Sequence, residues 1–391
     1  MKWLNSTVLG IGVASLFSDV GHEMATVAMP ALLASLGAGS AMLGIIEGTA
    51  DGLSSFAKLL SGHYSDRLEK RKFLAVIGYF VTASGMASFA FATQAWHVFL
   101  GRVFGWLGRG ARTPVKNTLL TEATTPETYG RAFGLERAMD SAGAVIGPLL
   151  SAVILAQFGI RSVFILTLIP GTLAALMIWF LVKEKPHQIN GKRPLFSGFK
   201  LFPTRYKMFL GGVGIAGLGD FSNTLLILWA TQAWSQEYGI AKAASIATLF
   251  YAGYNVVYTI FCAVAGKIAD IFPKYKVLAF GYVLAVIPAL TLLVPGSSFL
   301  KFGVIFGFSG MYMGFWETVE SSSAASLLPA EVRGLGFGAL ASINGIGDLI
   351  SSALVGVLWM VSPALAMLWV IVTSLLGASL IVRAGKDDVH A

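Results

Sequence analysis

Runs of about twenty apolar residues recur along nearly the whole chain, separated by short charged stretches. A run of that length crosses the hydrocarbon core of a bilayer as a helix. Twelve can be counted, over roughly 5–34, 41–63, 73–93, 96–121, 131–157, 162–182, 206–234, 242–265, 276–294, 299–325, 334–359 and 363–383. They leave no room for a sizeable soluble domain. They are also continuous rather than alternating, which argues against a barrel of ten-residue strands. Only 12% of the residues are charged, against about 25% in a soluble domain. The expected fold class is therefore an all-α membrane protein of twelve transmembrane helices, with the lipid bilayer as solvent.

The net charge of +8 could suggest a nucleic-acid partner, but the positions of the charges do not support one. Of 28 Lys and Arg residues, nineteen lie at the termini or in alternate loops, and the opposite loops hold only Arg161, Lys242 and Lys301. This asymmetry follows the positive-inside rule. It predicts both termini in the cytoplasm and an even number of spans in the inner (plasma) membrane. Cys262 is the single cysteine, so neither an internal disulfide nor a cysteine metal cage is available. Asp19, His22 and Glu23 interrupt the first run and no Ala-x-Ala-like site follows, so it reads as a span rather than a cleaved signal.

One long polar stretch, rich in Pro, Gly and charge, divides the spans six and six. The expected organisation is a bundle over 1–182, a cytoplasmic linker over 183–206 and a second bundle over 207–391. Internal matches support duplication. Asp19 corresponds to Asp220, Gly62 and Asp66 to Gly266 and Asp270, Phe133-Gly134 to Phe337-Gly338, and Asp140 to Asn344, at offsets of 201 to 204 residues. Repeated halves are a common transporter plan, with the substrate site between them.

The embedded charges are ordered. An ionisable side chain at mid-bilayer costs about 2.5–3.5 kcal/mol on an insertion scale, so each must find a partner or a wet cavity. The interiors of spans 3, 6, 9 and 12 carry none, which suits them to lipid contact. At 100° per residue, Arg102, Arg109, Arg112 and Lys116 share an arc of about 80°, Glu47, Asp51 and Lys58 one of about 40°, and Asp19, His22 and Glu23 one of about 100°. The first half embeds six acids and six bases. The second embeds Asp220, Glu317, Glu320 and Asp348 and no base. A carboxylate in such surroundings can serve as a proton carrier within the membrane, or as a site for a cation.

The stretch Gly62-x-x-x-Asp66-Arg67-Leu68-Glu69-Lys70-Arg71 resembles the loop 2–3 signature of the major facilitator superfamily. Arg102 with Gly105 and Gly108 is similar to that family's span 4 motif. Gly143-x-x-x-Gly147-Pro148 is similar to the span 5 signature of its antiporters, so the drug/proton-antiporter-like branch is the most similar. The resemblance implies two six-helix bundles related by pseudo-two-fold symmetry. It implies alternating access, with spans 1, 4, 7 and 10 lining the cavity and spans 3, 6, 9 and 12 facing lipid. It makes Gly62, Asp66, Arg67 and Arg71 a cytoplasmic gate, with Asp66 near the start of span 11 and Asp270 as its echo.

The function expected is proton-coupled export of a small organic solute, without enzymatic activity, by a chain working as a monomer. The candidates for substrate contact or proton coupling are Asp19, Glu23, Arg102, Arg109, Arg112, Asp220, Glu317, Glu320 and Asp348. Gly143, Gly147 and Pro148 are expected to permit close packing and a bend in span 5. The basic stripe of span 4 leaves import of an organic anion as an alternative. His22 beside two acids, an arrangement similar to iron exporters, leaves a divalent-metal carrier as another. Gly217-Leu218-Gly219-Asp220 and Gly345-Ile346-Gly347-Asp348 spell the motif of intramembrane aspartyl proteases, but the chain lacks the Tyr-Asp pair those enzymes also use. There is no Walker A sequence and no cofactor fingerprint.

Overall fold

The computed structural model describes residues 3–38, 40–184, 195–221 and 223–386. Among them the secondary structure is helical throughout, and the helices group into twelve spans. Span 1 is α1 (Ser6–Ser35), span 2 is α2 (Ser40–Ser65) and span 3 is α3 (Arg71–Ala87) with a 3-10 turn over Ser88–Phe91. Span 4 is α4 (Ala95–Glu122) and span 5 is α5 (Tyr129–Phe158). Span 6 is the pair α6 (Ile160–Leu166) and α7 (Leu168–Leu181). A short helix, α8 (Leu195–Lys200), leads into span 7, the pair α9 (Thr204–Gly217) and α10 (Asn223–Tyr238). Span 8 is α11 (Ile240–Ile271), and span 9 is the pair α12 (Lys274–Leu284) and α13 (Val286–Leu293). Spans 10, 11 and 12 are α14 (Phe299–Leu327), α15 (Arg333–Val361) and α16 (Pro363–Lys386).

Local chemistry explains several boundaries. The Asn5 side chain accepts from the backbone N–H groups of Thr7 and Val8, at 3.0 Å each, and so caps α1. Spans 6 and 9 are interrupted at Thr167 and Ala285, each three residues before a proline, Pro170 and Pro288. A proline ring removes a donor and crowds the preceding turn. Span 7, expected as one run over 206–234, is instead broken over 218–221, where Gly217 and Gly219 weaken the helix. Span 8 runs on to Ile271, so Lys267 and Asp270, expected in a loop, are helical.

Eight described helices are long and apolar enough to cross a membrane by themselves. The four spans that fall short are α1, α2 and α4, each of which carries embedded charges, and span 7, which is in two pieces and carries Asp220. Large apolar side chains on spans 3, 6, 9 and 12 are exposed, among them Phe80, Ile169, Phe280 and Leu376. In water that surface would be costly; in lipid it is the expected face.

The chain forms two compact units, Met1–Phe202 with Ala324–Ser342, and Pro203–Ser323 with Ile343–Ala391. This modifies the expected division: the stretch 324–342, placed in the second half by sequence, packs with the first. Residues 185–194 of the expected linker lie outside the described residues. In the first unit, glycines set the spacing between helices. A Cβ on Gly85 of α3 would lie 2.6 Å from the Gly105 nitrogen of α4, and one on Gly108 would lie 2.8 Å from the Gly78 carbonyl. Small residues of this kind let membrane helices approach backbone to backbone. The second unit has an aromatic core, where Trp234 contacts Phe250, Phe299 and Phe302 with ring centroids 4.7–5.2 Å apart.

Candidate gate and coupling residues

The elbow between α2 and α3 is held by backbone as much as by charge. Asp66, just past α2, accepts hydrogen bonds from the backbone N–H of Gly334 at 2.9 Å and of Leu335 at 2.8 Å. These first-turn donors of α15 have no partner within the helix, and an anion there is favoured by about 0.3–1 kcal/mol. Arg71, fully buried, donates to the Ser65 carbonyl at 3.0 Å, pairs with Glu122 and lies 3.9 Å from Asp66. Burial pushes the Asp66 carboxyl up to about 6, against the two N–H donors and Arg71, which pull it down.

Three glycines allow this approach. A Cβ on Gly62 would collide with the Gly334 carbonyl, and one on Gly338 would lie 2.6 Å from the Lys58 carbonyl. A little deeper, the Ser342 hydroxyl donates to the Ser55 carbonyl at 2.8 Å. Of the two bases expected to matter, Arg71 is tied in, whereas Arg67 makes no ion pair among the described residues. Glu69 turns the chain without strain, since no described residue other than glycine has a positive φ. Asp270, the echo of Asp66, lies in the last turn of α11.

The four bases of α4 reach four different helices. Arg102 grips Glu47 of α2 with two nitrogens, at 3.1 Å and 2.8 Å. Arg109 lies 3.3 Å from Asp19 of α1. Arg112 places its guanidinium 3.9 Å from the centroid of Tyr79 of α3. Lys116 pairs with the fully buried Glu136 of α5, and Ser15 donates to the same carboxylate at 2.7 Å. Arg137 lies 3.5 Å from Glu136 and 3.9 Å from Asp140. Pairing is what permits such burial, because removing one partner of a buried pair costs about 3–5 kcal/mol.

Trp106 completes this centre. Arg102 and Arg109 stand over its indole at 4.7 Å and 5.0 Å, and the His22 ring lies 4.8 Å away. The spacing 102–106–109 places all three on a single helix face, a pattern visible in the sequence. Buried donors remain open here: Trp106 Nε1, Arg109 Nη1 and Arg112 Nε have no hydrogen-bond partner among the described residues. Glu23 lies 3.8 Å from His22 Nε2, with Thr26 at 3.5 Å. Asp19 pairs with Arg109 at 3.3 Å. Among the described residues no group of three or more His, Cys, Asp or Glu side chains could hold a metal ion. Gly143 and Gly147 seat α5 on α1 beside these acids, where an added Cβ would meet Asp19 Cβ at 2.9 Å and Glu23 Cβ at 2.8 Å. Pro148 lies within the unbroken α5.

In the second unit the carboxylates meet neutral donors. Tyr258 donates to Glu317. Glu320, buried, accepts from Trp316 Nε1 at 2.5 Å, Asn344 at 2.6 Å and the Tyr282 hydroxyl at 3.4 Å. Asp220 sits in the break of span 7, with the Tyr312 hydroxyl at 3.4 Å and its own carbonyl bonded by Ser351. Asp348 lies on an exposed face of α15. None of these aromatic or amide partners was named from sequence, apart from Asn344 as the counterpart of Asp140.

A Major Facilitator Superfamily profile matches residues 11–352, most of the chain. The chain belongs to the major facilitator superfamily. An uncharacterised MFS-type transporter of Methanocaldococcus jannaschii is 28% identical over 374 residues, covering 94% of this chain and 92% of that protein. A multidrug resistance protein, MdtH, of Cronobacter sakazakii is 33% identical over 129 residues, covering 33% of this chain and 32% of its own. The fucose:proton symporter of E. coli, 14% identical, superposes with a TM-score of 0.80 over 98% of both chains. This superfamily member is thus a multi-pass membrane protein and a secondary transporter of small molecules, not an enzyme, which removes the aspartyl-protease reading of Asp220 and Asp348.

Proposed function

We propose that this superfamily member exports a small organic solute in exchange for protons, by alternating access, as a monomer of the inner (plasma) membrane with both termini in the cytoplasm. The observation that carries proton coupling is the setting of Glu320. Trp316, Tyr282 and Asn344, which donate to it, are neutral, so the carboxyl can gain or lose a proton without taking a charge from any of these three. Glu317 with Tyr258 extends the same arrangement one helical turn along α14. Asp66 on the first turn of α15 supplies the gate, a contact strong enough to hold and weak enough to release. Export is supported by Gly143 and Gly147 against α1, and by relatives named as multidrug resistance proteins.

The test is transport in proteoliposomes, with a panel of amphipathic cations and organic anions at two pH values. Glu317→Gln combined with Glu320→Gln is expected to abolish uptake driven by a pH gradient. Unchanged transport with unchanged pH dependence would overturn the assignment. A second reading, carriage of an organic anion, has its own observation in the open donors of Trp106, Arg109 and Arg112. It predicts that only the anions of the panel are carried, and that Arg112→Gln stops them.

A further inference from the structure

The break in span 7 borders a small cavity of about 40 Å³ in the second unit. Its polar lining comes from Asp220, Asn223, Tyr254, Ser309, Tyr312 and Ser374. We infer that this cavity is a binding site for a monovalent alkali cation, with sodium as the ion it fits.

The argument rests on donors, charge and backbone. Every polar group in the lining carries an oxygen, and the lining has no imidazole or thiolate, a set suited to hard cations rather than transition metals. Asn223 spends its amide nitrogen on the Tyr254 hydroxyl at 3.0 Å, which leaves its carbonyl oxygen available. Ser309 and Ser374 are over nine-tenths buried and make no hydrogen bond among the described residues, although they line the cavity. Their hydroxyls therefore remain available to a ligand in the cavity. Asp220 is the one carboxylate in the lining, and a single positive charge neutralises it; a divalent ion would leave a net charge in the membrane. The cavity adjoins the break after α9, where Gly219, Asp220 and Phe221 line it, and broken helices are where membrane transporters hold coupling ions. The volume admits a single ion or a few waters, and no organic solute. The other acids of this unit that bear on Asp220 are Asp348, Glu317 and Glu320. None of the three lines the cavity. This site goes beyond the proton-coupling reading and does not depend on it.

The experiment is thermal unfolding of the purified full-length protein in detergent, titrated with sodium chloride against choline chloride at constant ionic strength. A bound ion raises the unfolding temperature with the logarithm of its concentration. Sodium is expected to raise it where choline does not. The shift should be lost in Asp220→Asn, reduced in Ser374→Ala, and retained in Glu317→Gln with Glu320→Gln. If Asp220→Asn does not fold, Ser309→Ala and Ser374→Ala carry the comparison. A cavity that holds only water predicts no difference between sodium and choline, which overturns the proposal. A sodium shift that persists through all the cavity variants overturns it too.

Discussion

Gly334→Ala is the sharpest probe of the elbow. A methyl group at this position would lie 2.6 Å from both the Asp66 Oδ1 and the Gly62 carbonyl oxygen, and 2.9 Å from the Ser65 hydroxyl. Two of these atoms are fixed by the contact itself, so relief requires the ends of α2 and α15 to part. Overpacking of this kind costs about 1–3 kcal/mol, and each hydrogen bond to a charged group that lengthens costs about 1.5–3 kcal/mol. A combined loss of about 3 kcal/mol corresponds to roughly a hundredfold rise in the open population. Ser342 reports on that population, because it is buried and bonded to the Ser55 carbonyl while the contact holds. In a Cys262→Ala, Ser342→Cys background, alkylation of the detergent-solubilised protein by a bulky maleimide should accelerate by about that factor. Gly253→Ala, whose added methyl meets nothing within 4 Å, should leave the rate alone. Equal labelling of the Gly334→Ala protein and its parent would refute the idea that α2 and α15 must touch backbone to backbone.

The elbow should also respond to pH. Burial raises Asp66 to about 6, above the ordinary value near 3.9, so protonation favours the closed contact. That contribution is complete below about pH 4 and is lost as the pH rises through 6. Between pH 5 and 7 the Ser342→Cys labelling rate, taken relative to an Asp66→Asn control at each pH, should rise roughly tenfold. Lys116→Met should lower stability by about 3–5 kcal/mol, because it strands Glu136 in a buried site. Adding Glu136→Gln should restore much of the loss, as read by thermal unfolding; no restoration would mean that Lys116 acts through packing instead.

Sequence made the topology legible because lipid imposes it. A helix must be apolar for about twenty residues, and loops must carry the orienting charges. The elbow was legible because Gly62 and Asp66 stand at a spacing that resembles a known signature. The pairing of Arg102 with Glu47, Arg109 with Asp19 and Lys116 with Glu136 was not. Helical periodicity gives the face of one helix, and partners depend on how neighbouring helices are rotated against it. The neutral donors around Glu320 were hidden for the same reason, since Tyr282 and Asn344 stand on other helices. The break at Asp220 had a signal, two glycines within three residues, but the surrounding apolar run masked it.

That break bears on what makes span 7 a membrane segment at all. Its two pieces are 14 and 16 residues long, each short of the roughly 20 that a bilayer demands. Bare backbone at the interruption has no place in hydrocarbon. It is sheltered because Trp369 of α16 donates to the Leu218 carbonyl at 2.7 Å and Ser351 of α15 to that of Asp220. Membrane residence here is a property of the assembled bundle and not of the stretch itself.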